Sequence, residues 1–182
     1  MRYGLATDLG NGNYSAEICP IKSGAYLLEV RYLGPNDNRG KDMKYFGLSV
    51  GTAPFSVLVA SSIASGLNSH VDHLDRKVNA TFPSQFLVTV KDKYDNIVIS
   101  SDVSITLSIN HNPATNVTIL NYHNGTYFIQ YVPIESGVSN LVVKINNMHV
   151  IGSPFEVNVS DVVSDVSNTY AIGPNLYHGE KN

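Results

Sequence analysis

The stretch GTYFIQYVPIESG (125–137) contains a strand-like run, a proline that would end the strand, and a bend that closes on glycine. Its last five residues, PIESG, occur almost unchanged as PIKSG (20–24), 113 positions earlier in the chain. The flanks agree too: N-G-x-Y precedes both copies at the same offset, and TAPFSVLV (52–59) resembles GSPFEVNV (152–159), now 100 positions apart. The chain is therefore predicted to hold two copies of one unit, the first with an insertion.

Composition places the chain among ordinary globular proteins. Its 182 residues suffice for one or two domains, with 43% hydrophobic and 15% charged residues. A net charge of −3 argues against a basic nucleic-acid surface. The single cysteine, Cys19, excludes an intramolecular disulfide and gives no support to a cysteine-based zinc site. The opening residues lack the apolar region of a secretory signal, and no run approaches the ~18 apolar residues of a membrane span.

Alternation of apolar and polar residues predicts β-strands along most of the chain. In VSITLSI (103–109) the apolar residues all fall on one face, and six such strands plus a further one at 67–74 are expected between residues 61 and 160. Seven strands in about 100 residues is the size of one immunoglobulin-like antiparallel β-sandwich. A helix is considered only for 61–77, where Gly66 interrupts the pattern.

Turn signals separate the predicted strands, and the first copy is shorter than the second. The turns are expected at KYDN (93–96), HNPAT (111–115), HNG (123–125), ESG (135–137) and NNMH (146–149). Residues 1–60 supply three predicted strands only, at 13–19, 25–32 and 47–59. Three strands cannot build a two-sheet sandwich and would be marginal alone.

The second copy resembles the filamin-type (actin-binding-protein-280-like) immunoglobulin-like repeat. The resemblance rests on Gly125-Thr126-Tyr127, Tyr131-x-Pro133, Gly137 and the GSPFEVNV run (152–159). It covers essentially the whole chain and is best over 82–159. It implies an all-β fold: an immunoglobulin-like antiparallel β-sandwich, with filamin-type repeats in tandem.

Each of these residues has a structural purpose. Asn124-Gly125 is a tight-turn pair, because glycine accepts a positive φ between strands. Tyr127 is expected to bury its ring and to keep its hydroxyl at a partner. Pro133 is expected to end a strand, while Phe155, just after a proline at a strand start, would plug the end of the sandwich.

The first copy departs from this pattern in two places. Cys19 stands where the second copy has Val132, and on a predicted strand it is expected to be a small packed hydrophobe. The insertion PNDNRGKDMKYF (35–46) replaces a short turn, and a hairpin loop of this length is uncommon unless it is functional or flexible.

The expected domain organisation follows from the two copies. Residues 1–60 are interpreted as the C-terminal half of a repeat with the insertion at 35–46, and 61–160 as a complete repeat. Residues 161–182 are interpreted as a linker and the start of a further repeat, because 168–176 echoes 63–67. The chain is thus expected to be a section of a longer array.

No catalytic pattern is present in the sequence: there is no GxSxG, glycine-rich phosphate loop, HExxH or CxxC. No enzyme activity and no cofactor are therefore predicted. The His70–Asp75 stretch has a metal-like composition, but on a strand residues three apart face opposite sides, so no metal site is predicted there. The Asp92–Asn96 turn could be half a calcium site, but Asp and Asn more often cap such a turn through its own backbone.

Five N-x-S/T sequons are candidate glycosylation sites if the chain enters the secretory pathway. They begin at Asn13, Asn79, Asn116, Asn124 and Asn158. The single cysteine weakly favours a protein that is not secreted, because small secreted domains often contain disulfides.

The resemblance also implies a binding mode: partner peptides add as a strand in the groove between the third and fourth strands of the repeat, here 103–110 and 115–122. The residues carried over are the side chains of Ile105, Leu107, Ile109, Val117 and Ile119, with backbone from Thr106 and Ser108. In the competing interpretation these apolar residues only form the core and the repeat is a spacer.

Two functions from different classes remain open. The first is a non-enzymatic rod segment of a filamin-like actin-crosslinking or scaffold protein in the cytoplasm and cytoskeleton. Its partners would be extended peptides and neighbouring repeats, and actin would be contacted only through a separate helical domain. The second is an extracellular, glycosylated adhesion protein of the gamete or cell-surface type. Nucleic acid is not an expected partner, and an enzyme has no residue set behind it.

Overall fold

A computed structural model describes residues 6–32, 48–49, 52, 54–100 and 102–161, whose regular structure is entirely β. The first copy contributes six short strands: β1 (Ala6–Asp8), β2 (Tyr14–Ala16), β3 (Gly24–Leu28), β4 (Arg31–Tyr32), β5 (Leu48–Ser49) and β6 (Phe55–Val59). The second contributes β7 (Ala64–Asp72), β8 (Lys77–Asn79), β9 (Ser84–Asp92), β10 (Ile105–Ile109), β11 (Asn112–Pro113), β12 (Thr118–Asn121), β13 (Thr126–Tyr131), β14 (Gly137–Ile145), β15 (Met148–His149) and β16 (Phe155–Ser160).

The second copy forms the predicted two-sheet sandwich. One sheet has the order β12-β13-β9-β7, and the other has the order β11-β10-β14-β16-β8, with β15 paired to β14. All pairings are antiparallel except that of β16 with β8. The immunoglobulin-like antiparallel sandwich expected from the strand pattern is confirmed.

The core lies between these sheets and follows the period-two alternation of the strands. Along β9, Phe86, Val88 and Val90 are buried while their neighbours face outward. Phe86 meets Tyr131 of β13 edge to face, with ring centroids 6.0 Å apart. Apolar residues of β14 and β16 close the core from the other side: Leu141, Val143, Ile145, Phe155, Val157 and Val159.

The β1–β2 hairpin of the first copy repeats the β12–β13 hairpin of the second. Asp8 pairs with Tyr14, as Asn121 pairs with Tyr127. The turn hydrogen bonds agree as well: the Asp8 side chain accepts a backbone N–H two residues on at 2.8 Å, and Asn121 does the same at 2.8 Å. The sequence repeat is therefore a repeat of structure, down to single hydrogen bonds.

The later hairpins agree in register too. The PIKSG segment (20–24, the first bend) leads into β3, whose Gly24 pairs with Val59. The PIESG segment (133–137, the second bend) leads into β14, whose Gly137 pairs with Val159. Both glycines have a positive φ, +144° and +112°, which a residue with a Cβ adopts only with strain.

The insertion falls at the tip of one hairpin. In the second copy β14 and β15 are joined by Asn146-Asn147, both with positive φ (48° and 64°), as a two-residue turn requires. In the first copy β4 and β5 pair in the same register but are separated by fifteen residues, 33–47. The thirteen extra residues therefore lie here. The predicted insertion 35–46 itself is outside the described residues, as is most of 161–182.

The strands predicted for the first copy are corrected in number and extent. β1 was not predicted, because three residues are too few to show a period. The predicted strand 13–19 ends at Ala16, so the interpretation of Cys19 as a packed residue on a strand is wrong: it follows the strand and is exposed. The physical reason is that nothing covers this hairpin among the described residues, and both its strands are exposed throughout.

The second copy shows smaller departures. β8 was not predicted, and the turns predicted at 111–115 and 146–149 contain the two-residue strands β11 and β15. The first strand runs over 64–72 rather than 67–74, and β14 begins at Gly137 rather than at Leu141. The strand interpretation of 61–77 is confirmed against the helical one.

Candidate peptide groove and repeat interface

Two strands of the second copy, β10 and β12, have backbone edges that are partly or wholly unpaired. β10 pairs with β14 on one side, and on the other with β11 only at Ser108 and Ile109. Within the described residues no strand pairs with 105–106 on that edge, and none pairs with the outer edge of β12. Such edges carry backbone N–H and C=O groups that an added strand can use.

The side chains between these edges divide between core and surface. Leu107 lies in the core at 9% exposure and its carbonyl already accepts Ala114 N–H at 3.2 Å, so neither its side chain nor its carbonyl is available at the edge. Ile105, Ile109 and Val117 are partly buried against the core. Ile119 pairs with the fully buried Ile129, so it faces inward, yet it remains 39% exposed. An inward-facing isoleucine open to solvent marks a gap between the sheets at this edge.

The outward-facing residues of the predicted groove are Thr106, which is exposed, and Ser108, which is half-buried. Their strand is shorter than predicted, 105–109 instead of 103–110, and the fourth strand is 118–121 instead of 115–122. Of the seven predicted residues, five lie on β10 and two lie on or just before β12, which belong to different sheets. A peptide there would meet backbone on one side and apolar side chains on the other.

The Tyr127 side chain ties the β12–β13 hairpin to the loop after β9. Its hydroxyl donates to the Ser100 carbonyl at 3.0 Å and accepts from Asn121 Nδ2 at 3.2 Å, with the ring buried at 4% exposure. Burial, with a contribution from the Asp102 charge, raises the pKa of Tyr127. The expected buried ring with a bonded hydroxyl is confirmed, and it holds the fourth strand in place.

The segment 92–96, the docking turn, is organised by a buried carboxylate. Asp92 Oδ1 accepts the N–H groups of Tyr94 at 2.8 Å and Asn96 at 2.9 Å. Its Oδ2 accepts Ser62 N–H and Asn96 Nδ2, both at 2.8 Å. Burial alone raises the pKa of Asp92, but the hydrogen bonds from Asn96, Ser62 and Tyr94 lower it to about 2. The capping interpretation is thus confirmed, and all four contacts of the carboxylate are N–H donors.

The same turn contacts the first copy through Asn96. Asn96 Oδ1 accepts Ser23 N–H at 3.0 Å, and Asn96 Nδ2 donates to the Ile21 carbonyl at 2.9 Å. Lys22 Nζ of the same bend donates to the Tyr94 carbonyl. The first bend therefore sits on the docking turn. Sequence reasoning found both segments but not their contact, because 75 positions separate Asn96 from Ile21.

The other segments considered from the sequence are placed as follows. His70 lies on β7 and contacts Asp72 at 3.3 Å, while His73 follows the strand with a φ of 58°. Within the described ranges, no three His, Cys, Asp or Glu side chains are grouped so as to hold a metal ion. The sequon asparagines are all exposed: Asn13, Asn79, Asn116, Asn124 and Asn158. None of the described residues form a helix long and apolar enough to cross a membrane.

The fold and the sequence together define an immunoglobulin-like repeat protein. Comparison with known families identifies the kind of repeat. A family model described as the Filamin/ABP280 repeat matches residues 59–156, more than half of the chain. The chain belongs to the Filamin/ABP280 repeat family. Repeats of this family are structural and interaction modules.

Curated relatives are much longer than this chain. Filamin-A of Drosophila melanogaster is 26% identical over 149 residues, which is 76% of this chain and 7% of the relative. Filamin-C of Rattus norvegicus is 23% identical over 159 residues, 87% of this chain and 6% of the relative. The chain thus spans less than a tenth of the length of these relatives.

Solved structures resemble the chain at low sequence identity. The Lin-41 filamin domain has a TM-score of 0.46 at 20% identity and covers 54% of this chain and 98% of its own. InvD of Yersinia pseudotuberculosis has a TM-score of 0.56 at 17% identity and covers 93% of this chain and 47% of its own. At 17% identity, the likeness to InvD concerns the fold alone.

Proposed function

We propose that the chain is a non-enzymatic rod segment of a filamin-like actin-crosslinking or scaffold protein, and that its second repeat docks partner peptides by β-strand addition. The observation that carries the docking proposal is Ile119, which faces the sandwich interior and is still 39% exposed. Apolar surface at an open strand edge is the arrangement that strand-adding peptides use.

The rod proposal includes the domain division. In this division residues 1–60 are the C-terminal half of a repeat with the insertion at 35–46, residues 61–160 are a complete repeat, and 161–182 are a linker and the start of a further repeat. The matching registers of the hairpins in the two copies support this division. Two units of one architecture in series are what a rod requires, since each unit adds length and a further edge for docking.

In the docking proposal, an extended peptide pairs with the open part of β10 at Ile105, because the backbone groups of Thr106 and Ser108 point to β14. Alternate side chains of the peptide then point into the gap and contact Ile105 and Ile119. β11 already occupies the edge at Ser108 and Ile109, so the bound strand is short. The peptide chemistry that fits is a β-forming segment with small or branched apolar residues at every second position.

Titration of the whole chain with such a peptide by calorimetry tests the groove. Ile119→Asp is expected to weaken binding at least about tenfold, because a charge placed in the gap must be desolvated by the peptide. Leu120→Asp is the matched control: it is the next residue, on the outer face, 51% exposed, and should leave binding unchanged. Circular dichroism establishes that both variants fold, and unchanged binding by folded Ile119→Asp would rule the groove out.

We propose the cytoplasm and cytoskeleton as the location, with proteins as partners. In this proposal actin is bound through another domain of the longer protein, and none of the described residues is assigned to actin. Filamin-A and Filamin-C among the relatives support this choice.

The second candidate is an extracellular, glycosylated adhesion protein with the same repeats. The exposure of all five sequon asparagines favours it, because every one of them is accessible to a glycosyl donor. Mass spectrometry of the protein from its native source, before and after peptide N-glycosidase, separates the two. A loss of mass supports the adhesion protein and excludes the cytoplasmic rod.

A further inference from the structure

The contact between the two copies joins backbone groups of a bend to one asparagine side chain. Asn96 is only 6% exposed, and its amide bonds in both directions: the oxygen to Ser23 N–H and the nitrogen to the Ile21 carbonyl. Asp92 fixes the orientation of that amide by accepting its second N–H. The acceptor and donor offered to the bend are therefore preorganised by the fold of the second repeat.

The second copy has the same bend, and within the described part of the chain no turn is docked on it. The second bend matches the first in sequence except at Glu135, which stands where the first has Lys22. It leads into β14 in the register in which the first bend leads into β3. Ile134 and Ser136, the counterparts of Ile21 and Ser23, are both exposed, with Ile134 at 62%.

We propose that the second bend is a docking site for the Asp-x-x-x-Asn turn of another repeat of this kind. The Ile134 carbonyl accepts from the amide of the incoming asparagine, and Ser136 N–H donates to its oxygen, as Ile21 and Ser23 do in the first bend. The inference deepens the rod proposal, on which it rests, by naming the surfaces through which one repeat holds the next.

Glu135 sets the strength of this second contact. Lys22 adds a third hydrogen bond, to the Tyr94 carbonyl of the turn, and a carboxylate cannot donate that bond. The second bend therefore docks through two backbone groups only. Glu135→Lys is expected to restore the third bond and to tighten the contact.

Amide hydrogen exchange in an extended chain tests the proposal. In the extended chain, residues 1–160 are followed directly by an added duplicate of residues 61–161. The junction Val59-Ala60-Ser61 of the original chain is thereby repeated as Val159-Ser160-Ser61. The Ser136 N–H of residues 1–160, not the one in the added duplicate, is expected to exchange at least about tenfold more slowly than in the original chain. Ser23 N–H, already bonded to Asn96, serves as the protected reference in the same molecule.

Two variants complete the experiment. Asn96→Ala in the added copy alone should return Ser136 to the exchange rate of the original chain, and Glu135→Lys should slow it further. A Ser136 N–H that exchanges equally fast in both proteins, while Ser23 stays protected, overturns the proposal. So does a Ser23 N–H that shows no protection at all. Peptide binding to the groove is measured separately, by titration of the same extended chain, and does not involve Ser136. A failure of the groove proposal is therefore distinguishable from a failure of the docking proposal.

Discussion

Asp92 is the side chain that organises the docking turn. Its two oxygens take four N–H groups, from a neighbouring loop residue, the turn backbone and Asn96. A buried carboxylate is stable only when its lone pairs are filled in this way. The consequence reaches the first repeat, because Asp92 orients the amide that holds the first bend.

The pH dependence of folding should report this carboxylate. The pKa of Asp92 is about 2 in the folded state and 3.8 in the absence of these contacts. The unfolded chain therefore takes up the proton first as the pH falls, and the stabilisation, fully present above pH 4, is lost as the pH falls toward 2. Urea denaturation of Asp92→Asn should show a weaker dependence of the unfolding free energy on pH over that range.

The same substitution should cost about 1–3 kcal/mol at neutral pH, because its NH₂ group would face N–H donors. Asp95→Asn, exposed in the same turn, is the control and should unfold like the wild type. Equal pH profiles for Asp92→Asn and the wild type would contradict the role given to Asp92.

At this scale the sequence predicts what is local. The capping role of the Asp92 carboxylate and the bonded hydroxyl of Tyr127 follow from residue type and turn position, and both are confirmed. The contact of Asn96 with Ile21 does not follow, because it depends on how two repeats are placed and leaves no periodic signal. The exposure of Cys19 was not predicted either. Its strand-like sequence suggested that a second sheet would cover it, and the described residues provide no such sheet.

Among the elements, β7 shows why one glycine cannot be replaced. A Cβ on the buried Gly66 would collide with the backbone carbonyl of Met148 in β15. The two strands can approach only because position 66 has no side chain. The glycine that argues against a helix in the sequence is thus a requirement of strand packing.

Gly66→Ala is expected to destabilise the protein by about 1–3 kcal/mol, the usual cost of forcing a group into a packed site. Leu67→Ala, on the next residue, which is 68% exposed, should change the unfolding free energy by less than about 0.5 kcal/mol. Thermal and urea unfolding of the two variants measure the difference. A Gly66→Ala protein as stable as Leu67→Ala would show that β15 can move aside.

The long strands were predictable and the short ones were not. β9, β13 and β16 each show several alternations of buried and exposed residues, which is a readable period. β1, β8, β11 and β15 have two or three residues each. Their pairing is set by neighbouring strands that bring them into position, so it appears only in the folded chain.

For the molecule as a whole, the two copies differ in what covers them. Tyr14 is 61% exposed whereas its counterpart Tyr127 is 4% exposed, and Phe55 is 41% exposed whereas Phe155 is 7% exposed. The hairpins agree, but in the described residues of the first copy nothing plays the part of β7, β9 and β10. The apolar burial that stabilises the second copy is therefore largely missing from the first.

The two copies should accordingly unfold at different free energies. Hydrogen exchange of the native protein is expected to show backbone amides of β9, β13 and β14 protected at the level of global unfolding. Amides of β1, β2 and β3 should exchange through smaller openings, at least about tenfold faster. A single common protection level for both copies would mean that the hairpins of the first are held as firmly as the sandwich.

The tip between β4 and β5 has a practical consequence. Thirteen extra residues were accommodated there without shifting a single pairing of the flanking strands. The equivalent Asn146-Asn147 tip of the second copy is therefore a natural point of attachment. The tip lies at the opposite end of β14 from the second bend, so a fluorophore-binding or affinity tag placed between these two residues would let a label follow docking at that bend.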